Sequence, residues 1–190
     1  MNKKKSILFF LLFFFSIQNS NLEASSKLEI VKNFNNIETL KFNFSQITFE
    51  KKEEGTCFLK RPHFLKCIYE KSKNQKELIV NGNNIVIYHK KYEKTYYYPT
   101  SRSFFLEILD KKKFKETVLK SVIVNNEDLF EIKYVGKKRG EITFFFGKNN
   151  FNIVGWKIID LNGNKTNFKI ENLIKNQEIK KEIFTIPEIN

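Results

Sequence analysis

The feature that most constrains this chain is a long series of short, apolar-rich segments separated by tight turns. We interpret ten of these segments as β-strands, at residues 55–60, 64–70, 76–80, 84–89, 94–98, 118–124, 128–135, 140–147, 151–161 and 165–172. Asn81-Gly82 is typical of a tight hairpin turn between two of them. Because the connections are too short to cross over a sheet, we expect neighbouring strands to pair antiparallel in one large meandering sheet.

In two parts of the chain the apolar residues recur at the spacing of an α-helix instead. Ser26-Lys-Leu-Glu29 fits a capping box, and the apolar residues that follow recur every three or four positions, which predicts a helix over residues 26–37. A second helix is predicted over residues 101–115, where lysines near the end suit the negative end of the helix dipole. Its apolar stripe consists of Phe104, Phe105, Ile108 and Leu109.

One more strand is predicted directly after the first helix, where the period changes to two. From Lys41 onwards alternate residues are apolar, but the phase slips between Phe44 and Ile47. A slip of this kind is typical of a β-bulge, and we expect one near Ser45 or Gln46.

A sheet of this size curls strongly, and several of its strands are apolar on both faces. Residues 144–146, all phenylalanine, are one example. We therefore expect a mainly β fold in which the two helices cover one face of the curled sheet. The residues themselves leave two alternatives open: an apolar space between sheet and helices that holds a small ligand, or a core filled with side chains.

Residues 1–24 are predicted to be a secretory signal peptide, followed by a mature domain at residues 25–190. A cationic start precedes an uncharged apolar run from Ser6 to Ile17, which as a helix would span roughly 18 Å of a hydrocarbon core of about 30 Å. A small-residue cleavage point follows Ala24. No cysteine lies directly after the apolar run, where a lipid could be attached to a new N-terminus, so we expect an exported domain whose N-terminus carries no lipid.

The net charge of +13 belongs mostly to the mature domain, because removal of residues 1–24 leaves 31 basic and 20 acidic residues. A basic surface commonly indicates nucleic acid, but export favours an acidic protein partner or an anionic membrane surface. A compositional bias remains an alternative, because the lysines are scattered along the chain. We expect a monomer that binds no nucleic acid.

Patterns that would indicate catalysis are absent from the sequence. His63 and His89 lie at no spacing that would bind a metal with another ligand, and there is neither a nucleophile elbow nor a glycine-rich phosphate loop. We therefore predict that the protein is not an enzyme and that it holds neither a metal nor a cofactor.

The two cysteines are predicted to face each other. If strands 55–60 and 64–70 form a hairpin centred on Pro62, residues whose numbers sum to 124 are paired, which places Cys57 opposite Cys67. An exported protein meets an oxidising compartment, and this pairing favours a disulfide. The alternative is a pair of buried thiols.

The tip of the same hairpin carries Lys60-Arg61-Pro62. An arginine at the rim of an apolar concavity brings five donors to backbone carbonyls or to the polar end of a ligand. Simple solvation of Arg61 at the surface is the alternative.

These motifs, in this order, resemble the LolA family of periplasmic carriers of outer-membrane lipoproteins, and look most like its divergent alphaproteobacterial branch. The agreement runs from about residue 28 to residue 187. It rests on Phe44-Ser-Gln46, Gly55, Lys60-Arg61-Pro62-x-x-Leu65-Lys66-x-x-Tyr69, Asn81-Gly82-x-x-Ile85-x-x-Tyr88, Tyr97-Tyr-Pro99 and Gly155-Trp156-x-x-x-Asp160-x-x-Gly163-Asn-x-Thr166. The chain departs from many members at Cys67, where they have Trp or Phe, and at Val86, where they have an aromatic residue.

The resemblance implies an unclosed antiparallel β-barrel, a half-barrel, whose apolar cavity is covered by helices acting as a lid. It implies that Arg61, followed by Pro62, is the lid latch, which holds backbone groups of the lid when the cavity is closed. Residues Phe104 to Leu109 then correspond to a lid helix. Candidate acyl-binding residues of the cavity are Phe42, Phe44, Leu65, Tyr69, Trp156 and Ile158.

The resemblance also implies a function. An inner-membrane ABC transporter would hand a lipoprotein to this carrier in the periplasm, the acyl chains would enter the cavity, and an outer-membrane receptor, if present, would take the cargo. The alternative is an exported interaction domain of the same fold that senses lipids or lipoproteins.

Overall fold

The computed structural model describes residues 23–70, 72 and 75–187 of the chain. The predicted signal peptide therefore lies outside the described residues, apart from its last two positions, and its cleavage after Ala24 stays a prediction. Three α-helices lie within the described part: α1 over residues 23–35, α2 over Phe105–Leu109 and α3 over Lys111–Lys120.

The strands occupy most of the remaining chain. They are β1 Thr39–Thr48, β2 Lys51–Lys60, β3 Phe64–Glu70, β4 Lys76–Asn81, β5 Asn84–His89, β6 Lys94–Pro99, β7 Val122–Asn125, β8 Leu129–Gly136, β9 Gly140–Gly147, β10 Ile153–Ile159 and β11 Lys165–Lys175.

All 11 strands form one sheet in the order β6-β5-β4-β3-β2-β1-β11-β10-β9-β8-β7, and every neighbouring pair is antiparallel. The edge strands β6 and β7 do not pair with each other, so the sheet is an open half-barrel. The chain crosses from one edge to the other through α2 and α3. The predicted fold class, a mainly β half-barrel with covering helices, is confirmed.

The second predicted helix, at residues 101–115, is in fact two short helices separated by Asp110. The Asp110 carboxylate accepts a hydrogen bond from the backbone N–H of Lys113 at 2.8 Å and so caps the start of α3. Because α3 buries Phe114 and Val118 and continues to Lys120, the strand predicted at 118–124 was wrong over its first half. Only Val122–Asn125 is β-strand.

Two expectations about the first helix and strand were also wrong. Ser26 lies inside α1, which includes residue 23, so the helix does not start at the predicted capping box and it ends at residue 35. β1 pairs with β2 from Thr39 to Thr48 without interruption. The irregularity lies in the pairing of β1 with β11, where β11 has one extra residue opposite the segment from Lys41 to Asn43. Asn172 of β11 has a left-handed φ of 51° at this point.

The main core lies between the concave face of the sheet and the helices. Phe34 of α1 and Phe114 of α3 meet there with ring centroids 4.1 Å apart, and both are buried. A smaller cluster on the convex face makes β4 and β5 apolar on both sides. There the buried Ile79 and Val86 lie on the face opposite the main core, and the C-terminal segment around the buried Phe184 covers β3 and β4.

Candidate functional site

The β2–β3 hairpin has the predicted register, with Cys57 directly opposite Cys67. The two residues are buried and form a disulfide in the structure. Both side chains face the concave side of the sheet, so the bond joins adjacent strands beneath the helices.

Arg61 follows directly after β2 and points inward, with only 7% of its surface exposed. Its Nη1 donates hydrogen bonds to the carbonyl oxygens of Phe34 at 2.6 Å and Ile37 at 3.0 Å, and its Nη2 donates to the Ile108 carbonyl at 3.2 Å. Pro62 follows in the exposed turn through a cis peptide bond.

The three carbonyls that Arg61 binds lie at or just beyond the C-terminal ends of α1 and α2. Carbonyl groups at a helix C-terminus lack partners within the helix and carry the negative end of the dipole, so a guanidinium satisfies both their hydrogen bonds and their charge. Burial lowers the pKa of Arg61 to about 10, while Glu38 and Asp110 favour its charged form. The side chain therefore stays charged at neutral pH and joins the two helix ends.

An apolar cavity of about 100 Å³ lies beneath α2. Five of the predicted cavity residues line it, namely Phe42, Leu65, Tyr69, Trp156 and Ile158. Three residues at and just before α2 also line it, namely Phe104, Phe105 and Ile108. The structure thus brings part of the apolar stripe around α2 and the sheet residues to one space.

Two predicted residues pack behind this space. The Phe44 ring is buried between Tyr69, at a centroid distance of 5.0 Å, and Phe168, at 4.9 Å, and both of those rings face the cavity. Leu109 is fully buried in the core rather than at the cavity wall. Both residues support the wall without forming part of it.

Five lining residues were not among the cavity candidates predicted from the sequence: Gln46, Cys67, Leu78, Thr166 and Phe168. Leu78 and Phe168 lie on inward positions of their strands, which alternation could have identified. Leu78 is paired with the inward Cys67, and Phe168 is paired with the inward Trp156. Phe168 stacks on Trp156 with ring centroids 4.1 Å apart.

The cavity has one polar corner. The Tyr69 hydroxyl donates a hydrogen bond to Gln46 Oε1 at 3.1 Å, and Thr166, also at the cavity wall, is joined to Thr48 at 3.0 Å. Burial raises the pKa of Tyr69, so its hydroxyl remains a neutral donor. Gln46 and Thr166 belong to the motifs that carry the family resemblance, which is the signal that could have placed them here.

Among the residues that the structure describes, no group of three or more His, Cys, Asp or Glu side chains could hold a metal ion. In the same part of the chain, no helix is both long enough and apolar enough to cross a membrane.

The fold and the site together define a class of protein: a curved antiparallel sheet built around an apolar cavity, with a short helix held over it by a buried arginine. The family model described as outer membrane lipoprotein carrier protein LolA matches residues 35–187. The chain belongs to the LolA family. Among curated proteins, no sequence matches it.

Solved structures share the fold at low sequence identity. An uncharacterized conserved protein from Thermus thermophilus has a TM-score of 0.56 and 8% identity, over 87% of this chain and 94% of that one. A DUF1329 family protein from Desulfovibrio piger has a TM-score of 0.52 and 9% identity, over 87% and 96%. MucB has a TM-score of 0.52 and 8% identity, over 88% of this chain and 64% of MucB.

Proposed function

We propose that this protein is a periplasmic carrier that binds the acyl chains of lipoproteins in its apolar cavity, and that it is a binding protein without catalytic activity. One observation carries the proposal: an apolar cavity lies under a short helix that a buried arginine holds through backbone carbonyls. The description of its family, an outer membrane lipoprotein carrier, supports the same assignment.

The size of the cavity requires the lid to move before cargo enters. A cavity of about 100 Å³ is smaller than the apolar space of ~150 Å³ that holds one benzene molecule. An acyl chain of a lipoprotein is many times longer than benzene, so a cavity of this size cannot hold one. Each methylene that leaves water gains ~0.8 kcal/mol, and this gain is available to offset the packing and hydrogen bonds that break when α2 moves.

The proposed route begins with export through a cleavable signal peptide at residues 1–24. An inner-membrane lipoprotein-releasing ABC transporter then supplies the cargo, and an outer-membrane receptor accepts it. Release requires that the carrier binds its cargo less tightly than the receptor does. Lid contacts that re-form after release would lower the affinity in this way.

The alternative, a lipid- or lipoprotein-sensing interaction domain, uses the same cavity but ends in a stable complex with a regulatory protein. Both functions fit the fold that this chain shares with MucB. They differ in whether cargo leaves a membrane and is passed on.

The test is an extraction assay with the mature protein. Membranes that contain the ABC transporter and a radiolabelled, triacylated lipoprotein are incubated with the protein and ATP, and the soluble fraction is separated. We expect labelled lipoprotein in a soluble complex, and transfer from that complex to outer-membrane vesicles. Label that stays entirely in the donor membrane eliminates the carrier function.

A further inference from the structure

A second arginine binds α2 from the side opposite to Arg61. Arg139 lies in the turn between β8 and β9, and its guanidinium reaches Glu107 of α2. Nη2 donates to Glu107 Oε1 at 2.6 Å and Nη1 donates to Oε2 at 3.0 Å. Nη1 also donates to the carbonyl oxygen of Ser103 at 2.6 Å, just before the helix.

This contact is shielded from solvent. The Glu107 side chain is only 6% exposed and that of Arg139 19% exposed. The guanidinium carbon also lies 4.8 Å from the ring centroid of Phe104, which lines the cavity. A paired, charge-assisted contact of this kind fixes geometry as well as adding energy. Hydrogen bonding to Glu107 raises the pKa of Arg139, so the guanidinium stays charged.

The position of α2 depends on contacts of this type because the helix is short. It has five residues, far fewer than the ~12 that a helix needs for marginal stability by itself. Arg61 reaches it from the β2–β3 hairpin, and Arg139 reaches it from the β8–β9 turn. These hairpins lie in opposite halves of the sheet, with β1, β11 and β10 between them.

We propose that the Arg139–Glu107 pair is a second latch, which positions the lid helix independently of Arg61 and limits how often the cavity opens; this inference rests on the proposed carrier function. The two latches differ in chemistry. Arg61 binds backbone carbonyls at or near the ends of α1 and α2, whereas Arg139 binds one carboxylate side chain in addition to the Ser103 carbonyl. Loss of either partner of the pair leaves the other charge buried without its counter-ion, which favours the open lid, where that charge meets water.

The same geometry predicts a hinged opening. If only Arg61 releases its carbonyls, Glu107 still holds α2 to the β8–β9 turn, so the helix swings rather than detaches. If only Arg139 releases, the Ile108 carbonyl still holds the end of the helix at the β2–β3 hairpin. Entry of bulky acyl chains therefore requires both contacts to break.

The test measures amide hydrogen exchange of the full-length mature chain by mass spectrometry, with peptides that cover residues 103–110. The variants are Arg139→Gln, Glu107→Gln, the double variant and Arg139→Lys. We expect each single Gln variant to exchange about tenfold faster in this segment, with exchange in the sheet unchanged. Arg139→Lys, which cannot form the paired contact, should fall between wild type and Arg139→Gln. The double variant should exchange more slowly than the sum of the single effects predicts, because no charge is left unpaired.

A matched control is available on the same hairpin. Lys133 of β8 and Glu141 of β9 form an ion pair at 2.8 Å, in which the Lys133 side chain is half exposed. Lys133→Gln should leave exchange of residues 103–110 unchanged.

Two results would overturn the second latch. One is unchanged exchange of residues 103–110 in both single Gln variants. The other is an increase in the exchange rate of the sheet that equals the increase in residues 103–110, which would show that the pair stabilises the whole fold and not the position of α2. Uptake of a fluorescent C16 fatty acid is measured separately. If wild type takes up none, the carrier proposal fails, while the exchange result still decides the second latch.

Discussion

Arg61 donates to backbone carbonyls at two helix ends and also lies 4.2 Å from the centroid of the Phe34 ring, and these contacts define what its replacement should do. Its three carbonyl acceptors are at or near the C-terminal ends of α1 and α2, where the regular helical hydrogen bonds end, although the Phe34 carbonyl also accepts from the N–H of Ile37 at 3.3 Å. In the open form the same carbonyls would meet water. We therefore expect the side chain to stabilise the closed form of the proposed lid, in addition to any contribution to the fold.

We expect Arg61→Leu to lower the free energy of unfolding by about 1–3 kcal/mol, because buried carbonyl groups lose their donor. We also expect the variant to accept cargo but to transfer it to outer-membrane vesicles more slowly, since the closed lid no longer competes with bound acyl chains. Urea denaturation and the extraction assay measure the two effects.

Arg102→Leu is the control for this variant, because Arg102 is an exposed arginine close to the lid in sequence. It should match wild type in both assays. Transfer by Arg61→Leu at the wild-type rate would refute the role of Arg61 as a latch.

Among the elements, the register of the β2–β3 hairpin was predictable to the residue, although β2 begins at Lys51 and not at residue 55, whereas the bounds of the helices were not predictable. A turn centred on Pro62 fixes the register of two short strands, and it correctly paired Cys57 with Cys67. The break at Asp110 was missed because the apolar stripe continues from Ile108 to Phe114, although the helix restarts there. The bulge in β11 shifts the inward phase from Ile170 to Leu173, and it was missed because the apolar but exposed Ile174 obscures this shift in the sequence.

The residues around the cavity were likewise predictable only in part. Inward positions on the strands follow from alternation, and five of the six candidate wall residues line the cavity. The pairing of Arg139 with Glu107 spans 32 residues of sequence, and no local pattern relates a turn arginine to a helix carboxylate at that distance.

The disulfide should stabilise the half of the sheet that carries the lid latch. It closes a loop with a sequence separation of 10, for which restriction of the unfolded chain is worth about 2–3 kcal/mol. We expect the double variant Cys57→Ala, Cys67→Ala to lose this amount in urea denaturation.

Reduction of the wild-type protein should give the same loss as the double alanine variant, and serves as its control. Two reactive thiols in the native, untreated protein would contradict the bond itself, and an unchanged free energy of unfolding would contradict its stabilising effect.

At the scale of the whole molecule, the strand ladder that holds the fold is separate from α2, the element that moves in the proposed opening. The strand ladder runs unbroken from β6 to β7, and α2 lies over its concave face without belonging to it. Displacing α2 therefore breaks side-chain and carbonyl contacts of Arg61 and Arg139 but no ladder hydrogen bond. If α2 moves as proposed, the cavity enlarges while the sheet stays folded, as a carrier of acyl chains requires.

The most direct test of this account locates the acyl chains themselves. A triacylated lipopeptide with a photoreactive diazirine in its acyl chains is bound to the mature protein, irradiated, and mapped by peptide mass spectrometry. The account predicts labels on the cavity wall, at residues such as Leu65, Phe105 and Ile158. Labels confined to exposed apolar residues outside the cavity, such as Val122 and Val135, would contradict it.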